Sequence, residues 1–257
     1  MKSETLSFKQ AISLGQPRIG LWLSLAEPYA AEVCATAGFH WLLLDAEHAP
    51  NDLRSLLAQL QALKGYPVEP VVRLEKGDAG LIKQALDIGA RNLLIPMVDT
   101  AEQARALVRA TRYPPNGIRG IGGAAIRASM WGQRADYLNE ADDEVCLIVQ
   151  AETAAAMQNI ADISAVDGVH GVFIGPADLA ASLGHRGNPR HPEVQMSIDR
   201  GIQAVVGAGK AVGIITGDHD SAARYIESGA SFVAVGVDVM LLAQAARRLA
   251  NSLITVS

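Results

Sequence analysis

Cysteine is nearly absent from the 257-residue sequence: Cys34 and Cys146 stand far apart, each inside an apolar periodic segment. Neither has metal-ligand spacing, so both read as small buried hydrophobes in a reducing compartment rather than as a disulfide framework or thiolate site. No run of Lys and Arg occurs, and the formal net charge is −5, which argues against nucleic acid as a partner. An anionic metabolite remains open, because one well-placed arginine or metal outweighs net charge locally. No apolar run approaches membrane-spanning length, and residues 1–16 are polar, without a secretory signal core. The expectation is a cytoplasmic protein with no membrane contact. Linkers rich in Pro or Ser are missing too, so residues 1–257 read as one domain. Lysine is scarce. Of the six, none falls in a segment that reads as a strand, and only Lys76 sits just past one. That disfavours Schiff-base chemistry, which needs a desolvated lysine. There is also no serine elbow and no Cys–His pairing.

What is present is alternation of short apolar runs with helical periodicity. Strands are expected at residues 19–25, 41–45, 70–73, 92–97, 145–152, 171–174, 211–215 and 232–236. The helices between them include 29–37, 52–63 with Asn51 as N-cap, 78–88 closed by Gly89, and a helix from the Thr100 cap to Arg112. Further helices are expected at 153–162, 221–228 and 239–253. Continuous apolar runs suit parallel strands buried on both faces, and eight strand–helix pairs in this length predict a single (β/α)8 TIM barrel. Residues 113–144 and 183–192 interrupt the pattern. Both are expected after strands, on the face where such barrels keep their reactive loops.

In a (β/α)8 barrel the reactive side chains lie at strand C-terminal ends. Those ends carry Trp22, Asp45 to His48, Arg73, Gln150 with Glu152, and Asp178. Glu152 and Asp178 follow the two strands of one βαβ unit and so emerge together. They would hold a hard divalent cation or share a proton, unless each merely faces the dipole of the next helix. Asp45 and His48 share a turn and form a candidate acid–base pair; an Asx-turn with an exposed His is the bland alternative. Arg73 would clamp a carboxylate or enolate oxygen, or else form a structural salt bridge, for example to Glu47. The glycines of residues 117–123 lack dinucleotide-loop spacing and read as a flexible cover.

The sequence resembles the metal-dependent (class II) pyruvate aldolases, specifically the 4-hydroxy-2-oxoheptanedioate aldolases, from Gln16 to about Ala250. The segments that carry this include Ile19-Gly20-Leu21-Trp22-Leu23, Trp41-Leu42-Leu43-Leu44-Asp45-Ala46-Glu47-His48-Ala49-Pro50 and Pro70-Val71-Val72-Arg73. Others are Arg112-Tyr113-Pro114-Pro115-Asn116-Gly117, Val149-Gln150-Ala151-Glu152, Gly171-Val172-Phe173-Ile174-Gly175-Pro176-Ala177-Asp178 and His191-Pro192-Glu193-Val194. The resemblance implies that Glu152 and Asp178 bind Mg²⁺, Mn²⁺ or Co²⁺, which pyruvate would chelate. It implies that Arg73 holds the keto or enolate oxygen. Trp22, Gln150, Gly175, Pro176 and Ala177 would line the pyruvate pocket, and Asp45 with His48 would move protons. It further implies a homo-hexamer whose last helix packs on a neighbouring subunit, and a place in aromatic catabolism. The expected reaction is reversible cleavage of 4-hydroxy-2-oxo acids to pyruvate and an aldehyde. The rivals are a 2-dehydro-3-deoxyglucarate-type sugar-acid aldolase and a non-catalytic pyruvate-binding barrel. The sequence departs from the family pattern at Ala151, at 123–126 and at 214–218. These are expected pocket-rim positions that bear on the aldehyde partner.

Overall fold

The computed structural model of the chain describes residues 6–254. Eight parallel strands close into a barrel in sequence order. They are β1 (Arg18–Leu23), β2 (Trp41–Asp45), β3 (Glu69–Arg73), β4 (Asn92–Ile95), β5 (Cys146–Ala151), β6 (Gly171–Ile174), β7 (Ala211–Ile215) and β8 (Phe232–Val237). Around them run α2 (Pro28–Ala35), α3 (Leu53–Ala62), α4 (Ala79–Asp87) and α5 (Ala101–Thr111). The ring continues with α10 (Pro192–Gly207), α11 (His219–Glu227) and α12 (Asp238–Leu253). The remaining α-helices are α1 (Phe8–Ser13), α6 (Tyr137–Glu144), α7 (Ala154–Gln158), α8 (Ile160–Ser164) and α9 (Pro176–Ser182). The expected (β/α)8 architecture is therefore the observed one. No helix among the described residues is long and apolar enough to cross a membrane.

Strand periodicity divides the core into two layers. Leu42, Leu44, Val72, Leu93, Val149, Val172, Ile174 and Val233 point outward and pack under the helices. Trp22, Leu43, Val71, Leu94, Ile148, Phe173 and Phe232 point inward. Five rings run through the interior as a connected series, with neighbouring centroids 5.4–6.0 Å apart, from Phe8 past Trp41, Phe232 and Phe173 to Trp22. Room for them comes from glycine. A Cβ on Gly20 would stand 2.2 Å from the Trp41 ring, and one on Gly213 would stand 2.1 Å from Phe232. Phe8 belongs to α1, within the stretch whose sequence reads as a polar terminus. Ser7 and Gln10 form a capping box there, so Phe8 and Ile12 of this one short helix stop the barrel at its strand N-terminal end.

Several expectations change. Asp52, not Asn51, caps α3; Asn51 instead donates to the Asp45 carbonyl at 2.7 Å and accepts from Ser55 and Gln59. Thr100 caps α5 and Gly89 takes a left-handed φ of +97° after α4, both as expected. The crossover at 153–162 is two helices, because α7 ends at Asn159, whose side chain donates to the Asp99 carbonyl at 2.8 Å.

Residues 113–144 are the larger correction. They follow a helix and precede a strand, so they lie at the strand N-terminal end, opposite the reactive face. Arg119 anchors them: its guanidinium is fully buried, donates to Asp87 at 2.9 Å and sits 4.4 Å from the Tyr113 ring. Gly117 is no free hinge either, since a Cβ there would meet the Arg109 and Arg112 carbonyls at 2.3 Å. Residues 183–192 do lie after β6, between α9 and α10, as expected.

Candidate active site

Above the aromatic series the inward positions become polar. Asp45 follows Leu43, Arg73 follows Val71, and Gln150 with Glu152 follows Ile148, so the two-residue repeat aims each of them into the barrel mouth. All four are at least 94% buried. The register sets Asp45 directly beside Arg73. Arg73 donates through Nε and Nη2 to the two Asp45 oxygens at 2.9 and 2.7 Å, and its guanidinium lies 4.8 Å from the Trp22 ring. On its other side Nη1 is 2.7 Å from Glu47 Oε2. That contact is electrostatic without hydrogen-bond geometry, since Glu47 Oε2 is buried and receives no donated hydrogen. Arg73 is thus an ion-pair centre whose orientation is fixed before any ligand arrives.

Asp45 also accepts from the Trp22 indole at 3.3 Å and from the Glu47 and His48 amides at 3.0 and 3.3 Å. Burial favours its neutral form, but the bonds to Arg73 and the two amides outweigh burial and hold the carboxyl below the usual range. The anticipated Asp45–His48 side-chain pair is not formed. Asp45 touches only the backbone of His48, and the imidazole stands 66% exposed with Nε2 3.9 Å from Glu47 Oε2. Arg73 is the stronger partner, with two donors aligned to two oxygens, so it takes the Asp45 carboxylate and leaves the imidazole facing Glu47.

Glu152 lies at the far side of the mouth. Its Oε1 accepts the Met97 amide at 2.9 Å, and its Oε2 accepts from Gln150 Nε2. Met97 reaches this position with a left-handed φ of +57° just past β4. Burial pushes the Glu152 carboxyl up to about 7, and the charges of Glu47 and Asp178 push the same way against the two donors. Glu47 is likewise raised, first by burial, with Asp45 and Asp178 adding to it. Glu152 and Asp178, the two carboxylates expected to converge, both follow strands at this end of the barrel, as Glu47 does. Asp178 stands in the first turn of α9, which begins at Pro176 with Gly175 as its cap. A Cβ on Gly175 would meet Glu152 Oε2 at 2.6 Å, so this glycine lets the β6 turn press against the carboxylate. Glu152 and Asp178 present an all-oxygen donor set in a region of excess negative charge, which fits a hard divalent ion. Gln150 Oε1 is buried without a donor and fits an incoming hydrogen-bonding group.

Of the expected rim positions, Ala151 is fully buried in the outer layer and faces the helices. Residues 123–126 belong to the segment on the opposite end. Only the turn after β7 stays near the mouth. Sequence reasoning left the role of Glu47 open and missed Met97 entirely; its amide carries no sequence signal, although Pro96 just before it marks the end of the strand.

Comparison with known proteins gives a consistent result. Residues 18–245 match the family described as HpcH/HpaI aldolase/citrate lyase. A hydroxypyruvate/pyruvate aldolase of Cupriavidus necator is 64% identical, over 95% of this chain and 91% of that protein. A 4-hydroxy-2-oxo-heptane-1,7-dioate aldolase of Klebsiella pneumoniae is 56% identical, over 95% of this chain and 92% of that one. Among solved structures, an HpcH/HpaI aldolase/citrate lyase family protein from Burkholderia cenocepacia superposes with a TM-score of 0.93. It is 44% identical, with 96% of this chain and 99% of that chain covered.

Proposed function

The chain belongs to the HpcH/HpaI aldolase/citrate lyase family, a carbon–carbon lyase, and we propose that it cleaves 4-hydroxy-2-oxo acids reversibly to an aldehyde and pyruvate. Relatives 60–64% identical carry hydroxypyruvate/pyruvate aldolase in their names, which supports hydroxypyruvate as a second donor for this chain. The observation that carries the reading is the barrel mouth: a preset arginine held by Asp45 and Glu47, with the buried Glu152 carboxylate pressed by the Gly175 turn that leads to Asp178.

In this reading Glu152 and Asp178 hold Mg²⁺, Mn²⁺ or Co²⁺. When bound, the ion supplies Lewis-acid stabilisation of the 2-oxo acid oxygens. The chain's own residues do the rest. Gln150, Gly175, Pro176 and Ala177 bound the pocket for the 2-oxo acid, with Trp22 as its floor. His48 takes the 4-hydroxyl proton, and Glu47, not Asp45, is the carboxylate that faces the resulting imidazolium. As C4 becomes an aldehyde carbon, the C3–C4 electron pair passes to C3 and on to the C2 oxygen. Arg73 meets that oxygen with a donor that Asp45 and Glu47 keep in place, so little reorganisation is needed as charge develops. The enolate then takes a proton at C3, restoring the methyl group of pyruvate. Asp45 contributes by orienting Arg73 and the His48 backbone.

The same reading has the whole chain, residues 1–257, working as one barrel domain in a reducing cytoplasm. Both cysteines are free, and burial raises the Cys146 thiol to about 12. It also has the chain assembling as a homo-hexamer through α12, whose only buried residue is Asp238 while Met240, Leu241, Leu242, Leu249 and Leu253 are exposed.

The direct test is pyruvate release from 4-hydroxy-2-oxoheptanedioate by chelator-treated protein before and after Mg²⁺, Mn²⁺ or Co²⁺ is restored. Cleavage should depend on the ion and be lost in Glu152→Gln and Asp178→Asn. Undiminished cleavage by stripped protein would overturn the reading.

A further inference from the structure

The loop that joins α9 to α10 gathers a second set of metal-binding side chains, distinct from the carboxylates of the mouth. His185, His191 and Glu193 each bring one ligand atom to within 4.8 Å of the others. His185 Nε2 is 2.7 Å from Glu193 Oε2, and the two imidazoles stack with centroids 3.5 Å apart and planes 15° from parallel. We propose that His185, His191 and Glu193 form a site for a borderline transition-metal ion such as Zn²⁺, completed by water. It goes beyond the aldolase reading and does not depend on it.

Donor chemistry separates this site from the mouth. Two imidazoles and one carboxylate suit Zn²⁺, Cu²⁺, Ni²⁺ or Co²⁺, whereas the all-oxygen pair Glu152 and Asp178 suits Mg²⁺ and Mn²⁺. Two ligands and water on one side and three ligands with an open position on the other would let one chain sort ions by hardness.

The backbone brings the three residues together. His185 donates its amide to the Ala180 carbonyl at 2.7 Å, the Asn188 amide reaches the His185 carbonyl at 2.9 Å, and the His191 amide reaches the Asn188 carbonyl at 3.1 Å. Gly184 and Gly187 take left-handed φ of +86° and +77°, which allows the loop to double back on itself. His191 and Glu193 then open α10, with Pro192 between them fixing the first turn.

A simple ion pair beside a helix cap is the competing account. His191 Nδ1 accepts the Glu193 amide, but at a long 3.3 Å. Metal binding ends that acceptance, through Nδ1 by occupying it or through Nε2 by placing the proton on Nδ1. The long capping bond, together with the 2.7 Å His185–Glu193 contact where His185 ligates through Nε2, is exchanged for two metal–nitrogen bonds and one metal–oxygen bond. Around a tetrahedral Zn²⁺ the ligand atoms stand about 3.3 Å apart. Glu193 is exposed and free to adjust to that spacing by side-chain rotation. The stacked rings must turn toward one another for their in-plane lone pairs to meet one ion. Occupied, the site would clasp residues 183–192 and tie the end of α9 to the start of α10.

The test uses the full chain, stripped with chelator and titrated with Zn²⁺ against a chromophoric competitor. In a Glu152→Gln/Asp178→Asn background, one Zn²⁺ per chain should still bind. Adding His185→Gln and His191→Asn should abolish it, with affinity falling by at least about ten- to a hundredfold. Asn at 191 keeps a helix cap and Gln at 185 keeps a donor toward Glu193, so the metal-free fold should hold by circular dichroism. Glu193→Gln should weaken the site. Wild-type protein gives a second measurement that needs no variant: with Mg²⁺ in excess, added Co²⁺ should still develop visible ligand-field bands and Zn²⁺ should raise the melting temperature. Zn²⁺ stoichiometry unchanged by the histidine substitutions, or loss of the Co²⁺ bands under Mg²⁺, would overturn the proposal.

Discussion

Arg73 donates to both oxygens of Asp45 and faces Glu47, so replacing it has two separable effects. Arg73→Ala strands buried carboxylates without a cation and should cost about 3–5 kcal/mol of stability, read by chemical denaturation. Arg73→Lys keeps a charge but not the two-point hold, so it should fold nearly normally while turnover falls by about 10²–10³-fold. Equal losses in both properties for both variants would contradict the split. His170 makes a different kind of prediction, about pH. Burial first, then the charges of Lys9, Lys210 and Arg112, depress its imidazole to about 4, and its Nδ1 accepts the Leu147 amide at 3.1 Å. Unfolded, the ring binds a proton near 6.5. Between these values the unfolded chain holds more protons, so this contribution is complete above pH 6.5 and is lost as pH falls toward 4. The loss is on the order of 3 kcal/mol at most. His170→Asn, which keeps an acceptor, should flatten the stability profile in that window; an unchanged profile would contradict it. Arg73, Gln150 and Glu152 were legible in the sequence as polar residues at or just past the end of an apolar run, and Asp178 as the carboxylate that the Gly-Pro-Ala turn leads to. The partner of His48 was not, because choosing between Asp45 and Glu47 depends on which carboxylate the arginine takes.

At the scale of elements, the turn from β6 into α9 does the most for the mouth. Gly175 brings it so close to Glu152 that any Cβ collides with Oε2 at 2.6 Å. Gly175→Ala should therefore weaken divalent-metal affinity and activity much more than it lowers the melting temperature. A variant with wild-type metal affinity would show that the carboxylate moves aside freely. The eight strands were legible because parallel strands buried on both faces are unbroken apolar runs, and Thr100 and Gly89 marked helix ends through their own chemistry. The break between α7 and α8 was not, since it depends on Asn159 reaching the Asp99 carbonyl 60 residues away. Helix α1 was missed for a related reason: two buried side chains, Phe8 and Ile12, make too short a pattern to stand out until the barrel end is there to receive them.

For the whole molecule, the open question raised by the surface is what covers α12. Its exposed Met240, Leu241, Leu242 and Leu249 form more apolar surface than an isolated barrel helix needs. Leu242→Glu should shift the particle mass in light scattering from an oligomer toward a single chain, with little change in circular dichroism. An unaltered mass would remove α12 from the interface. Chain topology also decided the fate of residues 113–144. Their glycines suggested a cover for the reactive face, but a segment between a helix and the next strand must lie at the opposite end of the barrel, and Arg119 buried against Asp87 and Tyr113 holds it there. Strand count was readable, and strand ends only to within two residues, since β1 and β4 stop at Leu23 and Ile95 rather than at 25 and 97; the end of the barrel to which a loop belongs follows only from its place in the helix–strand alternation.

Formation of a pyruvate enolate under the control of Glu152 and Asp178 is the central claim. Proton NMR of pyruvate in D₂O tests it most directly, with metal-stripped protein, protein restored with Mg²⁺ or Mn²⁺, and restored Glu152→Gln compared side by side. The methyl signal should disappear through exchange only with restored wild type. Exchange that persists in stripped protein, or that is undiminished in Glu152→Gln, would contradict the account.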